Sequence, residues 1–329
     1  MKRILVTGGA GFIGSHTVDL LISRGHSVIV IDDLSTGVRE NLPADVELHA
    51  LDISNSEAMA NFASRNGSLD AIVHCAAQAS VTKSTKEPSR DLLINVLGTI
   101  NVLNIATANS CPLVFASTGG AIYGNSAPRP TSESSVVEPA APYGASKAAA
   151  EIYVRLWGSA NALSHAICRL GNVYGPRQRG DGEAGVVAIL AAQITEGRPV
   201  VLYGRGTPTR DYIHVEDVAR ALVAAIGVPG TFNIATGVET SVQDVYELVL
   251  LGIKPDFSGP PEYAPLRPGE LQASCLDCSY AKFALKWVPL ISASEGIHAV
   301  AAKLSESFTA ARLSQDITRR SKQNRRQTP

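Results

Sequence analysis

Short apolar runs of strand length alternate along the first half of the chain with longer segments whose apolar residues recur at helical spacing. Strands are predicted at 4–7, 28–31, 46–51, 71–74, 113–117 and 166–170, and helices at 12–24, 90–108 and 143–159, the last rich in alanine. Strands and helices in alternation argue for an α/β fold, a doubly wound parallel sheet with helices on both faces.

After Asn172 the pattern changes. A Gly/Pro/Arg loop (175–185), a helix (186–196), a short strand (200–203), a helix (215–226) and proline-rich connections (255–268) read as a smaller, irregular α/β lobe. The predicted organisation is a first domain over 1–174, a second lobe over 175–308 with the chain crossing between the two, and a basic, poorly ordered tail over 309–329.

Composition narrows the partners. A chain of 329 residues can bury a sizeable core, and 45% hydrophobic with 18% charged residues is ordinary for a globular protein. No apolar run approaches the roughly 18 residues of a membrane span, so no membrane partner is expected. A net charge of -1 and few aromatic residues give no reason to expect nucleic acid. Basic charge gathers only at Arg319, Arg320, Lys322, Arg325 and Arg326, where apolar residues are scarce, as in a solvated terminus. Five cysteines, and a start that runs straight into a strand without a signal-peptide core, lead to the expectation of reduced thiols in a cytoplasm. Cys275 and Cys278 form a single CxxC pair with no second pair and no histidine at ligand spacing, so no metal is assigned.

Directly after the first strand stands Thr7-Gly8-Gly9-Ala10-Gly11-Phe12-Ile13-Gly14, and a helix follows at once. Glycines there allow a tight turn and bring backbone N–H groups, at the positive end of a helix, up to a pyrophosphate. The second strand ends at Ile31-Asp32-Asp33, with Asp32 18 residues after Gly14, close to the spacing at which an acidic residue binds the adenosine ribose. A carboxylate there would repel a 2′-phosphate, so the cofactor expected is NAD, and 1–174 is its Rossmann domain. Asp52-Ile53 after the third strand either flanks the adenine or forms a turn.

Tyr143 and Lys147 lie four apart at the start of the alanine-rich helix and share one face. A free tyrosine titrates near ~10, and lowering it to about 7 takes about 4 kcal/mol of preference for the phenolate. A nearby ammonium supplies part of this, and the positive ring of NAD+ adds to it. The pair follows a strand that ends in Ser117-Thr118, hydroxyls able to bind the oxygen that the tyrosine deprotonates. Both groups meet the carboxyl edge of the sheet, where open α/β folds bind ligands.

With these stand His74-Cys75-Ala76-Ala77-Gln78, Asn95-Val96-Leu97-Gly98-Thr99, Ser117-Thr118-Gly119-Gly120-Ala121-Ile122-Tyr123-Gly124, Arg169-Leu170-Gly171-Asn172, Arg210-Asp211-Tyr212-Ile213-His214-Val215 and Arg267-Pro268-Gly269-Glu270-Leu271. On these motifs the chain resembles the extended short-chain dehydrogenase/reductases, the NAD-dependent epimerase/dehydratase family, and within them the UDP-glucose 4-epimerases, to about Ser305. The resemblance implies that Ala76, Ala77, Gln78, Asn95 and Leu170 border NAD beside Gly8, Gly11, Phe12, Ile13, Gly14, Asp32, Asp33, Asp52 and Ile53. It implies that Asn172, Arg210 and Arg267 hold the diphosphate of a UDP-sugar, with Thr118, Tyr143, Val186, Val187, Glu270 and Ser274 lining the rest. Two guanidiniums and an amide are the charge-assisted donors that a diphosphate needs.

The implied activity is NAD-dependent C4 epimerisation of UDP-glucose or UDP-galactose through a 4-keto intermediate, in galactose metabolism. Catalysis falls to Tyr143, Lys147 and a hydroxyl. Thr118 precedes Tyr123 by five residues, whereas many relatives show four, and counting back by four lands on Gly119. Counting forward from Phe115 selects Thr118, with Ser117 in reserve. A 4,6-dehydratase would carry Asp-Glu after the threonine, where Gly119 and Gly120 stand here. A UDP-glucuronate 4-epimerase or a decarboxylase is the competing reading, because the Arg177-Gln178-Arg179 loop could meet a C5 carboxylate. A non-catalytic NAD-binding sensor is the alternative from another class, and the intact Tyr143/Lys147 pair argues against it. By the same resemblance, small Ser274 leaves room for an N-acetyl group at C2, and the helices at 90–108 and 143–159 pair two copies into a homodimer.

Overall fold

The computed structural model describes residues 1–180, 185–253, 259–266 and 270–325. In chain order the first elements are β1 (Arg3–Thr7), α1 (Phe12–Ser23), β2 (Ser27–Asp32), β3 (Glu47–Ala50), α2 (Ser56–Arg65), β4 (Ala71–His74), α3 (Val81–Lys86) and α4 (Pro88–Leu92). A π turn (Leu93–Leu97) joins α4 to α5 (Gly98–Ala108), followed by β5 (Leu113–Thr118), α6 (Gly119–Ile122), α7 (Pro142–Asn161) and β6 (Ala166–Leu170). Then come β7 (Asn172–Tyr174), α8 (Val186–Thr195), β8 (Val201–Tyr203), β9 (Thr209–His214), α9 (Val215–Ala224), β10 (Gly230–Ile234) and β11 (Glu239–Ser241). The chain closes with α10 (Val242–Ile253), β12 (Glu262–Ala264), α11 (Ser279–Leu285) and α12 (Ala293–Arg325).

Seven strands form one parallel sheet in the order β10-β6-β5-β4-β1-β2-β3. Because strand side chains alternate between faces, the inner strands of the sheet feed two cores. Ile4, Val6, Val30, Val73 and Val114 face Val18 and Leu21 of α1 and Val218 and Leu222 of α9. Leu5, Ile29, Ile72 and Phe115 face Val102 and Leu103 of α5 and Val154 of α7. Each such buried side chain contributes about 1.5–3 kcal/mol, so the sheet is a rigid platform. Its order reverses at β1, and the cleft between β1 and β4 at the carboxyl edge is the switch point at which such folds bind ligands.

The second lobe carries a three-stranded sheet, β11-β9-β7, and a parallel pair, β12-β8. Val187, Leu190, Val245, Val249 and Ile297 of α8, α10 and α12 build its separate core. The two lobes are interleaved, since α9 packs on α1 and β10 returns to the main sheet beside β6.

One sequence expectation needs adjustment. The run Pro88–Ala108 is long and apolar enough, by length and composition, to cross a membrane, although no such run was expected. More than half of it is buried inside the fold, where an apolar helix is core. The backbone of α12 continues as helix through Arg325.

Candidate active site

The glycine turn leaves β1 at its carboxyl end and opens α1. Gly8 has φ +67°, a left-handed conformation that favours glycine, and its N–H donates to the Ile31 carbonyl at 2.7 Å. A Cβ on Gly14 would stand 2.1 Å from the Gly8 carbonyl oxygen, so turn and helix approach too closely for any side chain. Gly11 caps α1 with no side-chain hydrogen bond, and no acidic residue occupies the first turn, which starts at Phe12 and Ile13. The first N–H groups of α1 thus have no side-chain partner, the condition for meeting a pyrophosphate.

Asp32 closes the far side of this cradle. Its carboxylate accepts from the Ala10 N–H at 3.0 Å and the Leu34 N–H at 2.9 Å. Burial raises its pKa, while those N–H bonds pull it back. Asp33 is exposed and accepts from the Ser35 N–H and hydroxyl. Asp52 likewise accepts from the N–H and hydroxyl of Ser54, both at 2.8 Å, so its carboxylate forms a turn. The Ile53 side chain lies in the core against Gly98.

The wall after β4 is held by a buried polar hub. Half-buried Ala76 and Ala77 lead to Gln78, whose N–H donates to Asn95 Oδ1 at 2.9 Å and whose carbonyl accepts from Asn95 Nδ2 at 3.0 Å. Asn95 sits in the π turn, a helix irregularity frequent at functional sites. It also donates to Asp91 and to Ser146 of α7. The hub therefore ties the segment after β4 to α7, the helix that carries Tyr143 and Lys147.

The N–H of Tyr143 is capped by Ser84 Oγ at 3.1 Å. The Tyr143 side chain is half-buried, and its phenol lies within the influence of the Thr118 hydroxyl. Burial pushes this phenol up to about 12, against the pull of the Thr118 hydroxyl, and the charge of Asp91 pushes the same way. The acidified phenol expected from the sequence draws on the NAD+ ring as well as Lys147; the protein's own groups alone leave it high. Lys147 is 3% exposed, with Nζ 4.0 Å above the Phe115 ring. Burial lowers its ammonium to about 8, while Cys75, Glu151 and Asp91 hold it up. Ser117 donates to Glu151 Oε1 at 2.6 Å and is committed to that carboxylate, which leaves Thr118 to face the tyrosine.

Across the cleft, buried Leu170 pairs with Thr118, and Asn172 pairs with Tyr212, two residues from Arg210. Gly120 gives Asn172 its room, since a Cβ there would lie 3.1 Å from Asn172 Oδ1. Arg210 donates to the Thr209 carbonyl at 2.8 Å and faces Glu270 at 3.7 Å, while Glu270 Oε2 is buried with no hydrogen-bond partner. The Ser274 N–H donates to the Thr209 carbonyl at 3.1 Å, which brings this half-buried serine beside β9. Val186 is half-buried and Val187 is in the lobe's core. Arg267 lies outside the described residues. Arg177, read as a possible carboxylate contact, is ion-paired with Asp19 of α1 at 2.8 Å.

Sequence reasoning missed Ser84, Asp91, Ser146 and Glu151. Glu151 alone carried a local signal, a charged residue one turn past Lys147 on the same face.

The side-chain-free turn, the uncapped start of α1 and the Asp32 carboxylate beside it fit a dinucleotide. The chain matches the model of the NAD dependent epimerase/dehydratase family over residues 4–235. It is 40% identical over 308 residues to a UDP-glucose 4-epimerase of Mycolicibacterium smegmatis, covering 90% of this chain and 96% of that protein. The UDP-glucose 4-epimerase of Thermotoga maritima, solved with UDP-glucose, superposes with a TM-score of 0.89 at 39% identity, covering 93% of this chain and 99% of that one. The Thermus thermophilus enzyme, solved with NAD, gives 0.84 at 41% identity, covering 92% and 98%. Fold, cradle and likeness agree, and the chain belongs to the NAD dependent epimerase/dehydratase family.

Proposed function

We propose that this protein is an NAD-dependent epimerase acting at C4 of a UDP-hexose, interconverting UDP-glucose and UDP-galactose through a 4-keto sugar. The observation that carries the reading is the placing of Tyr143 and Lys147 one turn apart at the start of α7, beside the carboxyl end of β5 where Thr118 stands and where Ser117 is taken by Glu151. Tyr143 takes the proton of the sugar 4-OH, and Thr118 holds the same oxygen by hydrogen bond. NAD, held by the glycine turn and Asp32, would supply the hydride acceptor and donor for C4, and its ring charge would add to that of Lys147 in lowering the phenol. Epimerisation needs a keto-sugar that can turn over, so binding contacts must concentrate on the UDP. Arg210 and Asn172 supply them, with Arg267 assigned by resemblance alone.

Two neighbouring chemistries fit less well. In a 4,6-dehydratase an acidic pair follows the threonine, but a Cβ on Gly119 would stand 2.3 Å from buried Leu276. A uronate substrate calls for a cation at its C5 carboxylate, and Arg177 is engaged by Asp19.

The half-buried Ser274 leaves space at C2, so UDP-N-acetylglucosamine is also turned over; inactivity on that sugar removes this part of the reading. Two copies pair through the helices at 88–108 and α7, where Leu92, Leu93, Ile152 and Leu156 are exposed. Five free cysteines suit a reducing cytoplasm. The deciding experiment incubates the purified protein with UDP-galactose without added cofactor and follows product by chromatography. UDP-glucose supports the epimerase, a 4-keto-6-deoxy sugar means a dehydratase, and no reaction with retained NAD means a sensor.

A further inference from the structure

Glu151 lies one turn beyond Lys147 on α7 and is 1% exposed. Its Oε1 accepts from Ser117 Oγ at 2.6 Å and from Arg169 Nε at 2.9 Å. Its Oε2 accepts from Arg169 Nη2 at 2.6 Å and from Arg155 Nη1 at 3.2 Å. Ser117 and Arg169 are register partners on β5 and β6. One side chain of the helix therefore grips two adjacent strands at the residue before Thr118. The grip extends further, because Arg169 donates to the Tyr123 hydroxyl at 2.9 Å, and Tyr123 donates to Asn233 of β10 at 2.8 Å.

Stability does not account for this arrangement. A buried ion pair gains little over apolar side chains of similar volume, since desolvation offsets the attraction. What a forked arginine–carboxylate contact does supply is geometry, because two parallel bonds fix orientation as well as distance. Tyr143 rides on α7 and Thr118 ends β5, the two elements that Glu151 joins. We propose that Glu151, held by Arg169, is a positioning residue for the Tyr143–Lys147–Thr118 set, fixing the rotation and height of α7 against β5 and setting a negative charge one turn from the Lys147 ammonium. The proposal rests on the reading of that set as the catalytic one.

A pH signature follows. Lys147 is faced by Cys75 and His74 at the end of β4, by Asp91 of α4, by the Phe115 ring of β5, and by Tyr143 and Glu151 of its own helix. Burial sets its ammonium at about 8, and Glu151 is among the groups that keep it from falling further. Without that carboxylate the ammonium loses its proton at lower pH, so the alkaline limb of kcat moves to lower pH.

The test replaces both partners, Glu151→Leu with Arg169→Met, which leaves no lone buried charge and so preserves the fold. Turnover of UDP-galactose should fall roughly 10- to 100-fold, the cost of a misplaced reacting group. KM should stay within about twofold, NAD should be retained, and the alkaline limb should move to lower pH. Full turnover with an unmoved limb overturns the proposal, as does a rate loss that merely tracks lost NAD. Should the double variant fail to fold, Glu151→Gln carries the same expectations and the same overturning results. Tyr143→Phe in the same assay separates the two claims. If it retains turnover, the underlying reading fails; if it is inactive while the double variant is fully active, only the positioning role fails.

Discussion

The glycine cradle and the proposed catalytic wall meet at one edge of the sheet, yet they are built in opposite ways. The cradle is backbone, a turn and a helix start drawn so close that Gly14 has no room for a methyl group. The wall is side chains, with Tyr143, Lys147 and Thr118 presented from a helix and a strand and braced by Asn95 and Glu151 from beneath. The difference teaches where each is fragile. The cradle should fail when atoms are added, and the wall when they are removed.

The largest effect tests the wall. Tyr143→Phe deletes one oxygen and should reduce kcat by about 10²- to 10⁴-fold, with NAD content unchanged, as read by UDP-galactose turnover and by the cofactor released on denaturation. Next comes addition in the cradle. Gly14→Ala sets a methyl group against the Gly8 carbonyl and should destabilise by about 1–3 kcal/mol, with NAD lost on purification; unchanged thermal unfolding and full cofactor would erase the contrast.

Lys147→Met sharpens it further. The ammonium is lowered from 10.5 to about 8 by burial, so the unfolded chain holds this proton more tightly than the fold does. Its penalty on stability is full below about 8 and lifts as pH rises toward 10.5. The methionine variant should therefore be inactive but melt higher at neutral pH, a gain that fades in alkali; a lower melting point at neutral pH would refute this. The smallest effect belongs to Asp52→Ala, since Asp52 is an exposed turn residue. Stability should change by less than about 1 kcal/mol, and NAD affinity by little, in a cofactor titration.

The contrast also explains what could be read in advance. The strands at 4–7, 71–74 and 166–170 were visible because apolar runs of that length between helical segments have few other uses, and the glycine turn because its chemistry is contiguous in sequence. The strands β7, β8, β11 and β12 have three residues each, too few for any periodicity to register. Glu151 shows in the sequence only as a charge one turn past Lys147, and it acquires its meaning as a brace only when Ser117 and Arg169 arrive from two strands. Spacing sets a lysine one turn from Tyr143, but the enclosure that raises the phenol is a property of the folded chain.

The return of β10 to the main sheet, with α9 laid over α1, bears on how the enzyme could be divided. A fragment ending at 174 would lose the strand that borders β6 and would uncover Val18 and Leu21, which α9 shelters. Neither half of the polypeptide is a self-sufficient module, and a protease that cuts between them should leave the pieces clasped together.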